Sequence, residues 1–354
     1  MQNNSAIPQP SANTYIVADY TSPAPPIAWQ SIRRQDNSLV AHEIFNRSRT
    51  ASTHTMDSDL ALAHAVLSHI EPANLLDNGL LFINTTYESL AGPHLNLLPA
   101  PQVVLEIPSL GHAASTEVAT RRPALAALRA KGFALAFNHS VLDSAYEPWH
   151  DLVDYLKIDM SVLSAERTVL MIQWARRLPH AIVIADKIET PAQLQLAKES
   201  HVDLLQGYAV SRPEPVPARV VRPSAREVNA LQQLLKSDPE PDIDTLTDCL
   251  RTHPALLFNL LRMARARHMY AQAPYTSIAQ LLSNQSLAQM RAWATMLQAV
   301  ALDTPHPPEY GVAYAAHSAQ LWQQAQQLWP HSEPDVLSLI THALLLGHLL
   351  GLDL

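Results

Sequence analysis

One cysteine, Cys249, in 354 residues leaves no partner for an internal disulfide and no cysteine-based zinc cluster. The side chain reads as a small core residue, and its isolation fits a reducing compartment. Also lacking is any apolar run near the roughly 20 uncharged residues that a membrane helix needs. The first residues, rich in Asn, Ser and Pro, do not have the basic and apolar regions of a signal peptide, so a cytoplasmic location is expected. Long Lys/Arg runs are absent too. With a formal net charge of −8, this argues against a sequence-independent grip on nucleic acid. What remains is a chain that is 47% hydrophobic, enough for a substantial core.

Two breaks organise it. Met1–Pro26 is polar and proline-rich and reads as a flexible arm, with one short strand near Tyr15–Ala18. Ser211–Pro223 carries four prolines in thirteen residues, a composition that stops helices and strands and suits a linker. The division expected is therefore an arm over 1–26, a first domain over 27–213, a linker over 214–223 and a second domain over 224–354.

Within the first domain, short runs of Val, Ile and Leu alternate with helical patterns, as βα units of a parallel sheet do. Strands are predicted at Leu80–Asn84, Val103–Ile107, Ala134–Asn138, Tyr155–Asp159, Ile182–Asp186 and Leu204–Tyr208, preceded by a hairpin of Ile27–Ile32 and Leu39–Ile44. Eight strands is the count of a (β/α)8-type barrel. Glu43, Asn84, Glu106, Asn138, Lys157, Asp186 and Gln206 each fall at or near the C-terminal end of a different strand, and in a parallel barrel those ends share one mouth. Strand ends are often polar merely because they leave the core, but seven together outweigh that reading.

The second domain is predicted as helices without strands: Ala225–Lys236, Ile243–Thr252, Ala255–Ala266, Ser286–Leu302, Val312–Leu328 and Pro334–Leu349. Leu256, Leu257, Leu260, Leu261 and Met263 give one of them a continuous apolar face.

The segments IAWQSIRRQDNSLVAHEIFNR, LLFINTT, VVLEIPSL, YLKID, IVIADKIET and DLLQGYAVSRP follow one another as the motifs of the EAL family do, over roughly Ile27–Pro213. Active members of that family hydrolyse cyclic-di-GMP with two divalent metals. The resemblance implies a metal-binding role for Glu43, a ligand contact for Arg47, and site positions for Asn84, Glu106, Lys157, Asp159, Asp186, Glu189 and Gln206. More weakly, THPALLFNLLRMA, TSIAQLL and LAQMRAWATML resemble the HDOD domain, a helical module derived from metal-dependent phosphohydrolases. The fold expected is thus an EAL-type barrel followed by a separate all-α HDOD-like domain.

Departures from the family pattern matter for chemistry. Asn138 and His139 stand where the family has a pair of aspartates, Ser109 where a glutamate follows Glu106, and Asp186 where a glutamate is usual. Two-metal hydrolysis needs several hard carboxylates around two cations, so these changes lead to the expectation of a vestigial site, no metal, no cofactor and no enzymatic activity. Conversion to a new centre of Glu43, Glu106, His139 and Asp186 is a weaker reading than a merely hydrogen-bonded His139. The expected function is a non-catalytic signalling protein with a protein-binding helical output. The alternative is a cyclic-di-GMP receptor without hydrolysis, in which Arg47 and Lys157 supply positive charge, and the third reading is a residual phosphodiesterase.

The dipeptide His150-Asp151 is expected to be incidental, and Trp293, Trp322 and Trp329 fit core positions better than an exposed interface. The resemblance also carries the option of a homodimer through the barrel's helices.

Overall fold

A computed structural model describes residues 27–46, 54–69, 79–110, 115–178, 180–215, 222–267, 277–303, 322–323, 325–327 and 330–331. The arm over 1–26, Arg47, Trp329 and most of the last two predicted helices lie outside the described residues.

The chain enters through an antiparallel hairpin, β1 (Ile27–Arg33) and β2 (Leu39–Asn46), with Ile27 opposite Asn46 and Gln30 opposite Glu43. Its turn closes because Asn37 accepts a left-handed conformation (φ 70°), which an amide side chain tolerates, and because the carboxylate of Asp36 accepts the backbone N–H of Ser38 at 2.9 Å. Parallel strands follow: β3 (Leu80–Asn84), β4 (Val103–Ile107), β5 (Ala134–Asn138), β6 (Tyr155–Asp159), β7 (Ile182–Asp186) and β8 (Leu204–Leu205). β1 pairs antiparallel with both β2 and β8, and so closes the sheet into an eight-stranded barrel. Helices α1 (Met56–His69), α2 (Ser115–Ala130), α3 (Ala165–Ala175) and α4 (Pro191–Glu199) connect the strands.

Two expectations need correction. β8 stops at Leu205 rather than Tyr208, because Gly207 at φ 141° takes the chain out of the ladder. Glu214–Pro215, expected as linker, forms a short strand β9 on Ala28 and Trp29. Proline lacks an N–H and is tolerated there because this strand lies at the sheet's edge.

The barrel's interior is plugged by Ile32, Ala41, Phe82, Val104, Ala136, Tyr155, Ile184 and Leu204, one residue from each strand. Phe82 and Tyr155 meet edge to face at its centre, 5.0 Å between rings. Side chains alternate along a strand, so the residue two positions further toward the C-terminal end also points inward. Those residues form the mouth.

From Ser224 the described chain is helical: α5 (Ala225–Leu235), α6 (Ile243–Thr252), α7 (Pro254–Arg267), α8 (Ile278–Ser283) and α9 (Leu287–Gln298). Ser224 starts α5 with a capping box, its hydroxyl accepting from the N–H of Glu227 while the Glu227 carboxylate accepts the N–H of Ser224. These helices do not stand apart from the barrel. α7 and α9 pack on α1, α9 also covers the turn at Pro93–Leu97, and one apolar cluster runs from Leu81 and Leu97 through Leu62 and Val66 to Leu260 and Trp293. Trp293 is fully buried and belongs to the core.

One polar contact lies inside that interface. The His64 Nε2 of α1 meets the Asn259 Oδ1 of α7 at 2.8 Å. Burial pushes His64 down from 6.5 to about 4, although the hydrogen bond with Asn259 opposes the shift. The unfolded chain therefore takes up the proton more readily than the folded one. Stability from this group is complete above pH 6.5 and falls as the pH drops toward 4, by up to about 3 kcal/mol. Urea unfolding at pH 7.5 and pH 4.5 tests this: His64→Gln is expected to flatten the difference, and an unchanged pH dependence would refute the assignment.

Candidate functional site

Two positions beyond the plug, the strands present Glu43 after Ala41, Asn84 after Phe82, Glu106 after Val104, Asn138 after Ala136, Lys157 after Tyr155, Asp186 after Ile184 and Gln206 after Leu204. Six of the seven form one connected network. Lys157 is only 6% exposed, and its ammonium donates to Glu43 Oε2 at 2.7 Å and to Glu106 Oε1 at 2.8 Å, with Asp186 Oδ2 at 3.6 Å. Asn84 donates to Glu43 Oε1 at 2.7 Å, and Gln206 donates to Glu43 Oε2 at 2.6 Å. Gln30, which sequence reasoning missed because β1 runs opposite to the other strands, accepts from Gln206 at 3.3 Å and donates to the carbonyl of Ser211.

The carboxylates respond differently to the same burial. Burial raises all three, but at Glu43 the ammonium of Lys157 and the donors Lys157, Gln206 and Asn84 outweigh it and hold the group below its ordinary value. Glu106 is pushed up, to about 8, by burial and by the charge of Glu43. Asp186 is raised by burial despite Lys157. Burial alone would lower Lys157, yet Asp186, Glu106 and Glu43 together keep it firmly protonated.

The remaining predicted residues lie outside this network. The Asn138 side chain is exposed and folds back to accept from Ser140, capping the turn His139–Leu142. His139 is half-buried with an Nδ1 that has no hydrogen-bond partner, and burial lowers its pKa. Asp159 sits nearer the rim and accepts from Ser161 and Lys187. Glu189 and Ser109 are exposed, and the N–H of Glu189 donates to Gln193 in the cap of α4. His150 is bound to the carbonyl of Val141 and Asp151 to Arg122, which gives that dipeptide a structural explanation.

Asp59 was not foreseen. From the first turn of α1 it accepts the N–H of Thr86 at 2.7 Å, while Thr85 donates to the carbonyl of Glu106 at 2.7 Å, so the mouth end of β3 is tied to α1 and to β4.

The metal chemistry of the family can be tested against this donor set. Three carboxylates, from Glu43, Glu106 and Asp186, with the amide oxygen of Asn84 beside them, are hard ligands of the kind that suits one divalent cation, and here the three carboxylates surround a cation already, the ammonium of Lys157. With that ammonium in place, no group of three His, Cys, Asp or Glu side chains among the described residues is arranged to hold a metal. A second position does not fit, since Asn138 turns away to Ser140 and His139 offers a lone nitrogen. No helix among the described residues is long and apolar enough to cross a membrane.

Comparison with known proteins agrees with this architecture. The EAL domain family model matches residues 32–213. Cyclic di-GMP phosphodiesterase CdgJ of Vibrio cholerae is 23% identical over 301 residues, which cover 80% of this chain and 66% of that protein. The Bacillus subtilis protein YuxH, described as uncharacterized, is 24% identical over 287 residues, 77% of this chain and 67% of its own length. The chain thus spans about two thirds of the length of these relatives. Among solved structures, the EAL domain of Mycobacterium smegmatis DcpA covers 53% of this chain and 92% of its own at 17% identity, with a TM-score of 0.43.

The expectation of a chain without enzymatic activity is corrected by these findings, because the EAL model matches and a relative aligned over most of the chain carries the name of a phosphodiesterase. The matched range 32–213 is more than half of the chain and contains the whole six-residue network, and the chain therefore belongs to the EAL domain family.

Proposed function

We propose that this chain hydrolyses cyclic-di-GMP at the mouth of the barrel. The observation that carries the reading is the network of Glu43, Asn84, Glu106, Lys157, Asp186 and Gln206, in which hard acceptors and fixed donors converge at the C-terminal ends of the barrel strands. Hydrolysis adds water across one P–O bond, opening the ring to a linear dinucleotide while a proton passes from the water to the departing sugar oxygen. A divalent cation that took Glu43, Glu106 and Asp186 from the ammonium of Lys157, with the amide oxygen of Asn84 as a further donor, would polarise the phosphate and make water a better nucleophile near neutral pH. The chain's own part is to fix the acceptors. Asn84 and Gln206 hold both oxygens of Glu43, and Thr85 and Asp59 hold the strand ends. Lys157 keeps a positive charge at the centre, which lessens repulsion between buried acids and an anionic ligand.

The assay follows cyclic-di-GMP and its linear product with magnesium or manganese present. Glu43→Gln keeps the side chain's length but not its charge and is expected to slow turnover by about a hundredfold. Equal rates in wild type and variant would overturn the reading.

The helical region is proposed to be HDOD-like and to serve as a protein-binding output, with the division 27–213, 214–223 and 224–354. The similarity to CdgJ supports a shared helical part, since 301 aligned residues reach beyond the EAL match.

A further inference from the structure

Four described residues other than glycine have positive φ. Asn37 closes the hairpin, His201 lies just past the C-cap of α4, and His180 lies in the turn between α3 and β7. Lys187, at φ 55°, is of a different kind, because it directly follows the last residue of β7 and stands on the rim of the mouth. An L-residue with a long side chain is disfavoured in this conformation, and such outliers persist where the surroundings impose them.

The surroundings of Lys187 hold a cation beside Asp159, at the ends of β6 and β7. Its N–H donates to Asp186 Oδ1 at 2.8 Å, which fixes the backbone, and its ammonium donates to Asp159 Oδ2 at 2.6 Å. Its side chain is 56% exposed, so the ammonium keeps N–H donors accessible to solvent beside Asp159. Asp159 does not depend on it, because Oδ1 already accepts from the N–H of Ser161 at 2.9 Å and from its hydroxyl at 2.6 Å. Facing the same corner are the uncharged Asn138 and His139, the latter within the electrostatic reach of Asp159 and Lys187. The buried floor carries three acids around Lys157, and the exposed ammonium of Lys187 lies above one of them, Asp186, with Asp159 as its partner.

We infer that Lys187 is a ligand-binding residue, whose ammonium takes an anionic oxygen of a phosphodiester group entering over the ends of β5, β6 and β7. The inference rests on the reading of the mouth as a cyclic-di-GMP site and adds to it a contact that lies outside the network on the floor.

Isothermal titration of the full chain with cyclic-di-GMP, at low and high salt, tests it in wild type, Lys187→Gly, Lys187→Gln and Lys187→Arg. The glycine and glutamine variants are expected to bind about tenfold more weakly and with a shallower salt dependence, and arginine to retain most of the affinity. Glycine accepts the left-handed backbone, so its melting temperature should equal or exceed that of wild type. If glycine lowers stability, glutamine carries the comparison alone. Wild-type affinity and salt dependence in Lys187→Gln would overturn the inference and leave Lys187 as a partner of Asp159 only. Failure of wild type to bind would overturn the functional reading, and this inference with it.

Discussion

Lys157→Met is expected to destabilise the protein by about 3 kcal/mol or more, a large effect for one charged-to-apolar exchange of similar length. The ammonium is nearly inaccessible and, among the described residues, is the only positive charge in contact with Glu43, Glu106 and Asp186 together. Removing it leaves three buried acids whose mutual repulsion can be relieved only by taking up protons, so the loss should grow as the pH rises above neutrality. A methionine would pack well in an apolar hole, but here it replaces one partner of a charged network rather than all of it, which is the costly case. The same substitution removes the cation that competes for the three carboxylates. Millimolar magnesium, manganese or calcium is therefore expected to recover part of the lost stability in Lys157→Met and to do less for wild type. Urea denaturation with and without the cation measures both effects. Unchanged stability would mean that Lys157 is not the charge that holds the floor together.

Gly207→Ala is expected to cost about 4 kcal/mol and to disable the site, because strain and collision act at once. At φ 141° an L-residue is strained, and a Cβ would stand 2.2 Å from the nitrogen and 2.4 Å from the oxygen of Ile188. Those atoms are already engaged: Ile188 donates to the carbonyl of Gln206 at 3.0 Å and accepts from Ala209 at 2.9 Å. Relief requires the two strand ends to part, which pulls Gln206 away from Glu43. Gly132 provides the control. Its φ of 99° carries strain without collision, the nearest atom to a Cβ being 3.7 Å away, so Gly132→Ala should cost only about 1–2 kcal/mol. Denaturant midpoints of the two variants separate collision from strain, and equal losses would contradict the argument.

How much of this was legible beforehand follows from which interactions are local. Five of the parallel strands, from Leu80–Asn84 to Ile182–Asp186, have the bounds that their Val, Ile and Leu runs predict, because burial on both faces leaves a continuous apolar signature. The mouth was legible for the same reason: an inward residue two places after an apolar plug residue needs only the period of a strand. β8 was read too long because Gly207 was credited with extending the strand it ends. Gln30 was missed because its strand runs the other way, and Lys187 because a left-handed backbone leaves no mark in the letters, although its place directly after Asp186 was a usable clue. The docking of the helices on α1 depends on contacts such as His64 with Asn259, 195 residues apart, which no local pattern encodes. The expectation of an inactive chain came from counting altered ligands at Asn138, His139, Ser109 and Asp186. Glu43, Asn84, Glu106, Lys157, Asp186 and Gln206 nonetheless form one network, inside the range 32–213 that the EAL domain model matches.

The most direct test of the account is to follow purified protein with cyclic-di-GMP and magnesium or manganese and to analyse the nucleotide over time. The account predicts a linear dinucleotide that accumulates in proportion to enzyme and requires the divalent cation. Intact cyclic-di-GMP after prolonged incubation, with either cation and at concentrations that saturate binding, would contradict it.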